Sequence, residues 1–311
     1  MAKIVVTGGT GYIGVPLVAA LRARGDAVTV LSRDAARATA TLGADVTTVT
    51  ANLEDSRGAW TGALAGADAI VHLAGESVGV GRWDAQQKQK IRDSRVEATR
   101  GLVEAIAALP AAARPKALLS ASGVDYYPYA HEPMDDDEVT ETNPPTDSFL
   151  GRVCRDWERE ATAATEHGVR VCCLRTGVVV GPGGPVGKMT TPFKLFGGGR
   201  IGHGRQWMSW IALADIVALY LAASADARYA GPVNAVAPEQ VRNAELARAL
   251  GHALHRPSWL PVPGFALKVA VGEFAEVLLH GRRVVPAKLQ ALGFPYALPT
   301  LAAALAVAVA G

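Results

Sequence analysis

The chain has 311 residues, half of them apolar and 19% charged, with a formal net charge of +2 at pH 7. So near-neutral a balance, with no basic stripe interleaved with aromatics, excludes nucleic acid as an expected partner. The three cysteines, Cys154, Cys172 and Cys173, cannot form a disulfide framework, and the seven scattered histidines show no metal-ligand spacing, so a reducing cytoplasm and no metal are expected.

Lys3 to Thr7 reads as an apolar strand running into Gly8-Gly9-Thr10-Gly11-Tyr12-Ile13-Gly14, with a helix expected from about Tyr12. No cleaved signal is expected ahead of this strand. Gly9, Gly11 and Gly14 satisfy G-x-G-x-x-G, and Gly8, Gly11 and Gly14 satisfy the offset pattern. Such a loop turns tightly and lets a pyrophosphate approach its backbone, with the helix N-terminus behind it supplying free N–H groups. Further apolar runs at 27–31, 46–49, 69–73, 117–120 and 169–174 alternate with helical segments, the pattern of a doubly wound parallel sheet of Rossmann type in the α/β class.

The ends of these strands carry the next readings. Strand two closes on Leu31-Ser32-Arg33 where an NAD site would offer a carboxylate, so Ser32 and Arg33 point to the 2′-phosphate of NADP(H). Asp34 is expected to cap the following helix. Asn52 and Leu53, after strand three, would flank the adenine, and Leu73-Ala74-Gly75, after strand four, offers small residues where the chain passes the cofactor. Glu76 follows as a candidate base, or as a ligand of a ribose or a loop N–H.

Three stretches break the rhythm: an acidic loop at 131–147, a Gly/Pro loop at 180–206 and a Pro-rich joint from His255 to Pro263. Residues 181–204 hold nine glycines, too many for a packed element and suited to a mobile cover. Lys188, Arg205, Gln206, Trp207 and Trp210 border it; cations with aromatics suit a planar or anionic ligand, although both tryptophans read equally as core anchors. Asp215 is expected to cap a helix at 216–223. Helices follow at about 264–280 and 286–292, and the tail from Ala297 to Gly311, too short to span a membrane, reads as a docked final helix. The expected organisation is a cofactor domain at 1–180 to which 207–236 returns, a glycine-rich loop at 181–206 and a C-terminal substrate or cap lobe at 237–311.

Several segments together resemble the extended short-chain dehydrogenase/reductase superfamily, and more closely its atypical branch of NADP-binding, nucleoside-diphosphate-sugar-epimerase-like "epimerase family" proteins. They are Val71 to Glu76, Ser94-Arg95-Val96, Ser120 to Tyr127, Trp157-Glu158, Arg175 to Val179, Gly197 to Gly199, Gln206 to Ile211, Asn234 to Pro238 and, in the C-terminal lobe, Gly272-Glu273 and Arg283 to Pro286. The resemblance implies that Ser122 matches the superfamily's active-site serine and that Gly177 and Val178 lie against the cofactor. It also implies a tyrosine four residues before a lysine, the lysine holding the nicotinamide ribose. This chain has neither: aligned on Glu158, the two positions are Leu150 and Cys154, within a stripe of Leu150, Val153, Cys154, Trp157 and Ala161 that reads as core. Tyr126 or Tyr127 then becomes the candidate acid, and Arg95, where relatives commonly carry asparagine, a candidate contact to the cofactor. The expected activity is NADP(H)-dependent oxidoreduction or epimerisation of a small-molecule carbonyl or alcohol, with a homodimer allowed. An NADP-bound isomerase or dehydratase without net redox change and a non-catalytic NADPH sensor are the alternatives.

Overall fold

The computed structural model describes residues 1–130 and 136–310; the first residues of the acidic loop, 131–135, and Gly311 at the tail lie outside them. In chain order the strands are β1 (Lys3–Thr7), β2 (Ala27–Ser32), β3 (Thr47–Thr50), β4 (Ala69–His72), β5 (Ala117–Gly123), β6 (Glu138–Val139), β7 (Arg170–Thr176), β8 (Val178–Val180), β9 (Trp207–Met208), β10 (Trp210–Ala212), β11 (Gly231–Ala235), β12 (Val241–Arg242) and β13 (Arg283–Val284). The helices are α1 (Gly14–Ala23), α2 (Ala35–Leu42), α3 (Ala85–Asp93), α4 (Val96–Ala108), α5 (Phe149–Thr162), α6 (Gly184–Lys194), α7 (Leu213–Ala225), α8 (Asn243–Ala253), α9 (Gly264–Val271), α10 (Ala275–Leu279), α11 (Ala287–Leu292) and α12 (Leu301–Ala310).

The six apolar runs become strands of one parallel sheet in the order β11-β7-β5-β4-β1-β2-β3, with β11 added from the returning segment. Strands buried on both faces need near-continuous apolar sequence, as Ile4, Val5 and Val6, all fully buried, supply. Alternation sends Cys172 to the core beneath α1 and α7, and Cys173 to the core beneath α4 and α5. The winding reverses at β1, which lies between β2 and β4, so the crevice outside the carboxyl ends of β1 and β4 is where this architecture binds ligands.

Three expectations are corrected. The segment 181–206 is not all loop: its glycines cluster at both ends, and between them α6 starts on Gly184-Pro185 and buries Val186, Thr190 and Phe193. Proline in the first turn lacks only an N–H that would have no helical partner there anyway. Asp215 does not cap its helix; it sits inside the first turn of α7, fully buried, and accepts hydrogen bonds from the N–H of Ala297 (2.6 Å) and Leu298 (3.2 Å). The helix expected over 264–280 is broken at Gly272, whose φ is +64°. Among the described residues no helix is long and apolar enough to cross a membrane, and no group of three potential metal ligands occurs.

Candidate functional site

The turn after β1 brings three backbones together. Gly8 has φ +69°, and a Cβ there would stand 2.7 Å from the carbonyl carbon of Leu73, at the end of β4. At Gly14 a Cβ would meet the Gly8 carbonyl oxygen at 2.2 Å. Glycine is thus required at both, and the first turn of α1, whose N–H groups lack helical acceptors, opens onto a surface formed by Thr10 and Gly11 (exposed) and Tyr12 and Ile13 (half-buried), with Gly9 buried beneath. That cradle and its donors fit a pyrophosphate.

At the end of β2, Ser32 Oγ donates to the Asp34 carbonyl (3.0 Å) and accepts from the Asp34 N–H (3.2 Å), a tight turn that leaves Arg33 exposed and without a carboxylate partner among the described residues. Asp34 caps α2 by accepting from the Arg37 N–H at 2.9 Å. Asn52 is exposed beyond β3 and Leu53 is buried beside it.

Under the end of β4 runs a chain of hydrogen bonds. The Ala74 N–H donates to Thr7 Oγ1 (3.3 Å), Thr7 Oγ1 contacts His72 Nδ1 (2.7 Å), His72 Nε2 contacts Thr99 Oγ1 (2.9 Å), and the Thr99 hydroxyl donates to the Arg95 carbonyl. Burial, with a smaller contribution from the Arg95 charge, pushes the His72 imidazole down to about 4. The chain couples the Leu73-Ala74-Gly75 turn to the start of α4, where Arg95 stands.

The Arg95 guanidinium lies over the Trp157 ring, 5.3 Å from its centroid, and abuts Gly75, where a Cβ would come within 3.2 Å of Cζ. On its far side are Leu150, buried against Trp83 and Ile91, and Cys154, whose thiol burial pushes up to about 12. A Cβ on Gly123, at the end of β5, would lie 3.5 Å from Cys154 Sγ and 3.7 Å from Asp125 Oδ2. Asp125 is one-quarter exposed and pairs loosely with the buried Arg282 at 3.5 Å. The loop after β5 therefore brings a carboxylate to the strand ends, and the sequence reading passed it over for the two tyrosines that follow it. Glu76 is half-buried nearby, its N–H donating to Ser94 Oγ at 2.9 Å.

Ser122 and Tyr127 are engaged elsewhere. Ser122 donates to Glu158 Oε1 (2.7 Å), and Arg175 grips the same carboxylate through Nε (2.8 Å) and Nη2 (2.7 Å). Arg175 Nη1 donates to Tyr127 Oη (2.7 Å), which donates to Asn234 Oδ1 (2.6 Å). Tyr127 is fully buried, and burial pushes its phenol up to about 12. The Tyr126 ring lies beneath the Arg175 guanidinium at 3.5 Å and lines a shallow cavity with Arg155, Glu158, Arg159 and Thr162, residues along α5 rather than the glycine loop. Gly177 packs on the backbone of Ser209, and Val178 donates its N–H to the Ser209 carbonyl at 2.8 Å.

On the expected substrate side, Lys188 and Arg205 are exposed. Gln206 is buried and donates to the carbonyls of Ile201 (3.1 Å) and Leu278 (3.0 Å). Trp207 lies against the guanidinium of Arg242 (4.1 Å) and that of Arg283 (5.4 Å). Trp210 is buried and donates to the Glu239 carbonyl at 2.9 Å.

A family model described as NAD dependent epimerase/dehydratase matches residues 4–235, and one described as a domain of unknown function (DUF1731) matches 262–308. A chloroplastic SDR39U1 homologue of the epimerase family from Arabidopsis thaliana is 40% identical over 292 residues, covering 94% of this chain and 82% of that protein. The crystal structure of human epimerase family protein SDR39U1 (isoform 2) with NADPH superposes with a TM-score of 0.85 at 34% identity, covering 99% of each chain. A nucleoside-diphosphate sugar epimerase from Corynebacterium glutamicum superposes at 0.76 with 31% identity, over 98% of this chain and 57% of that one.

Proposed function

The chain belongs to the NAD dependent epimerase/dehydratase family, and we propose from that premise that it is an NADP(H)-dependent oxidoreductase acting on a carbonyl or alcohol of a small molecule. The observation that carries this reading is the glycine cradle closed onto β4 with Arg33 exposed at the end of β2. When bound, the nicotinamide supplies a site that gives or accepts a hydride. The first turn of α1 holds the pyrophosphate, and Ser32 and Arg33 hold the 2′-phosphate. Asp125 exchanges the proton with the substrate oxygen, because its carboxylate stands at the end of β5 while the hydroxyls of Ser122 and Tyr127 are bound to Glu158 and Asn234. Tyr126 is the alternative acid. Free cysteines support a reducing compartment such as the cytoplasm.

Fluorescence titration tests the cofactor: Arg33→Ala is expected to weaken NADPH binding roughly 10- to 100-fold and NADH binding little, and an equal loss for both refutes the 2′-phosphate contact. Catalysis is tested with NADP+ and a small-molecule extract, following absorbance of the reduced cofactor. Wild type and Tyr126→Phe are expected to reduce it and Asp125→Asn not to. Activity that survives Asp125→Asn and is lost in Tyr126→Phe moves the proton to the tyrosine. No reduction by wild type, with NADPH still bound, favours the sensor.

A further inference from the structure

Arg95 is half-buried, and a guanidinium withdrawn from water with few acceptors is costly unless a ligand supplies them. Arginine presents five N–H donors; one on Arg95 bonds the Ile91 carbonyl at 3.0 Å, and no carboxylate pairs with the group among the described residues. Glu76 and Asp125 act on its charge only from beyond ion-pair distance. The side chain is nonetheless held in place, its face on Trp157, its edge against Gly75 and its own carbonyl accepting from Thr99. Holding a cation so firmly while leaving its donors open is the mark of a preorganised oxygen-binding group.

Its place in the sheet says which oxygens. In the order β5-β4-β1-β2-β3, the half-buried Ser32 and the exposed Arg33 and Asn52 mark the β2–β3 side of the switch point as the adenine end. Arg95 stands on the other side, between the turn after β4 and Cys154 on α5. We propose that Arg95 supplies, from the start of α4, the fixed positive charge that the missing lysine on α5 would have supplied, donating to the ribose oxygens of the nicotinamide half of the cofactor. The inference rests on the NADP(H) reading above. It explains how the α5 positions can be apolar: with the cation delivered from the neighbouring helix, Leu150 and Cys154 are free to pack as core.

Fragment-resolved calorimetry distinguishes this from a purely structural role. The probes are NADPH and adenosine 2′,5′-bisphosphate, which carries the adenine half alone. Arg95→Met is expected to bind NADPH roughly 10- to 100-fold more weakly and the bisphosphate as wild type does, with Arg95→Lys recovering much of the NADPH affinity. Arg33→Ala should weaken both probes. Equal losses for the two probes in Arg95→Met, or none, overturn the proposal. Arg95→Gln, which keeps a donor for Ile91, gives the same two outcomes should the methionine variant not fold. If wild type binds neither probe, it is the cofactor reading that has failed.

Discussion

The hydrogen bonds around His72 fix which ring nitrogen carries the proton of the neutral imidazole. Thr99 donates to the Arg95 carbonyl, so its oxygen accepts from His72 Nε2–H; Thr7 accepts from the Ala74 N–H, and its own hydroxyl proton is free to donate to Nδ1 of the neutral ring. Burial, helped by the Arg95 charge, keeps the folded imidazole neutral, and a proton on Nδ1 would turn the Thr7 bond round and place a charge in a fully buried site. The unfolded imidazole takes its proton below about pH 6.5, whereas the folded one resists to about 4. The unfolded state thus binds more protons between those values, and the stability this group contributes is complete above pH 6.5 and lost on acidification toward 4. Between pH 7.5 and 5.0 the loss is expected to be about 2 kcal/mol. Urea unfolding of wild type and His72→Gln at both pH values measures it: wild type should lose that much more than the variant, and equal losses would contradict a neutral His72.

At the scale of elements, what the sequence made legible is what is local. The glycine loop, the apolar strand runs, the Asp34 cap and the buried stripe of α5 each depend on residues a few positions apart, and each is found where its pattern put it. Asp215 misled because an aspartate at a helix start is usually a cap; here its partners are some eighty residues away at Ala297 and Leu298. The α6 segment misled because glycine count was weighed over glycine position. The site divides the same way. Ser32 and Arg33 follow from the end of one strand, but the engagement of Ser122 requires Glu158 on α5 and Arg175 on β7, three elements whose meeting no spacing in the sequence announces. Asp125 carried a readable signal, an ionisable side chain in the loop after β5, masked by the more familiar tyrosines that follow it.

For the whole molecule, the C-terminal segment is tied down by buried polar groups as well as by the apolar residues it adds to the main clusters, such as Leu289, Phe294 and Val284. Asn234 on β11 donates to the Val285 carbonyl (2.9 Å), Gln206 to that of Leu278 (3.0 Å), and Tyr296 to that of Val236 (2.8 Å). α9 buries no residue, and α12 packs into a cluster shared with α8, β8 and β10. The segment matched by its own family model therefore lacks a core of its own, and its position depends on these ties together with the clusters it joins. Asp215 is the most exacting of them, because a buried carboxylate, its pKa raised by desolvation, serves two backbone N–H groups that no other group in reach satisfies once it is removed. Asp215→Ala is expected to cost about 2–4 kcal/mol in urea unfolding and to speed carboxypeptidase trimming of α12. Asp215→Asn, which keeps one acceptor oxygen, should lose less on both measures. A loss within about 0.5 kcal/mol, with trimming unchanged, would show that apolar packing of α12 alone holds the C-terminal segment in place.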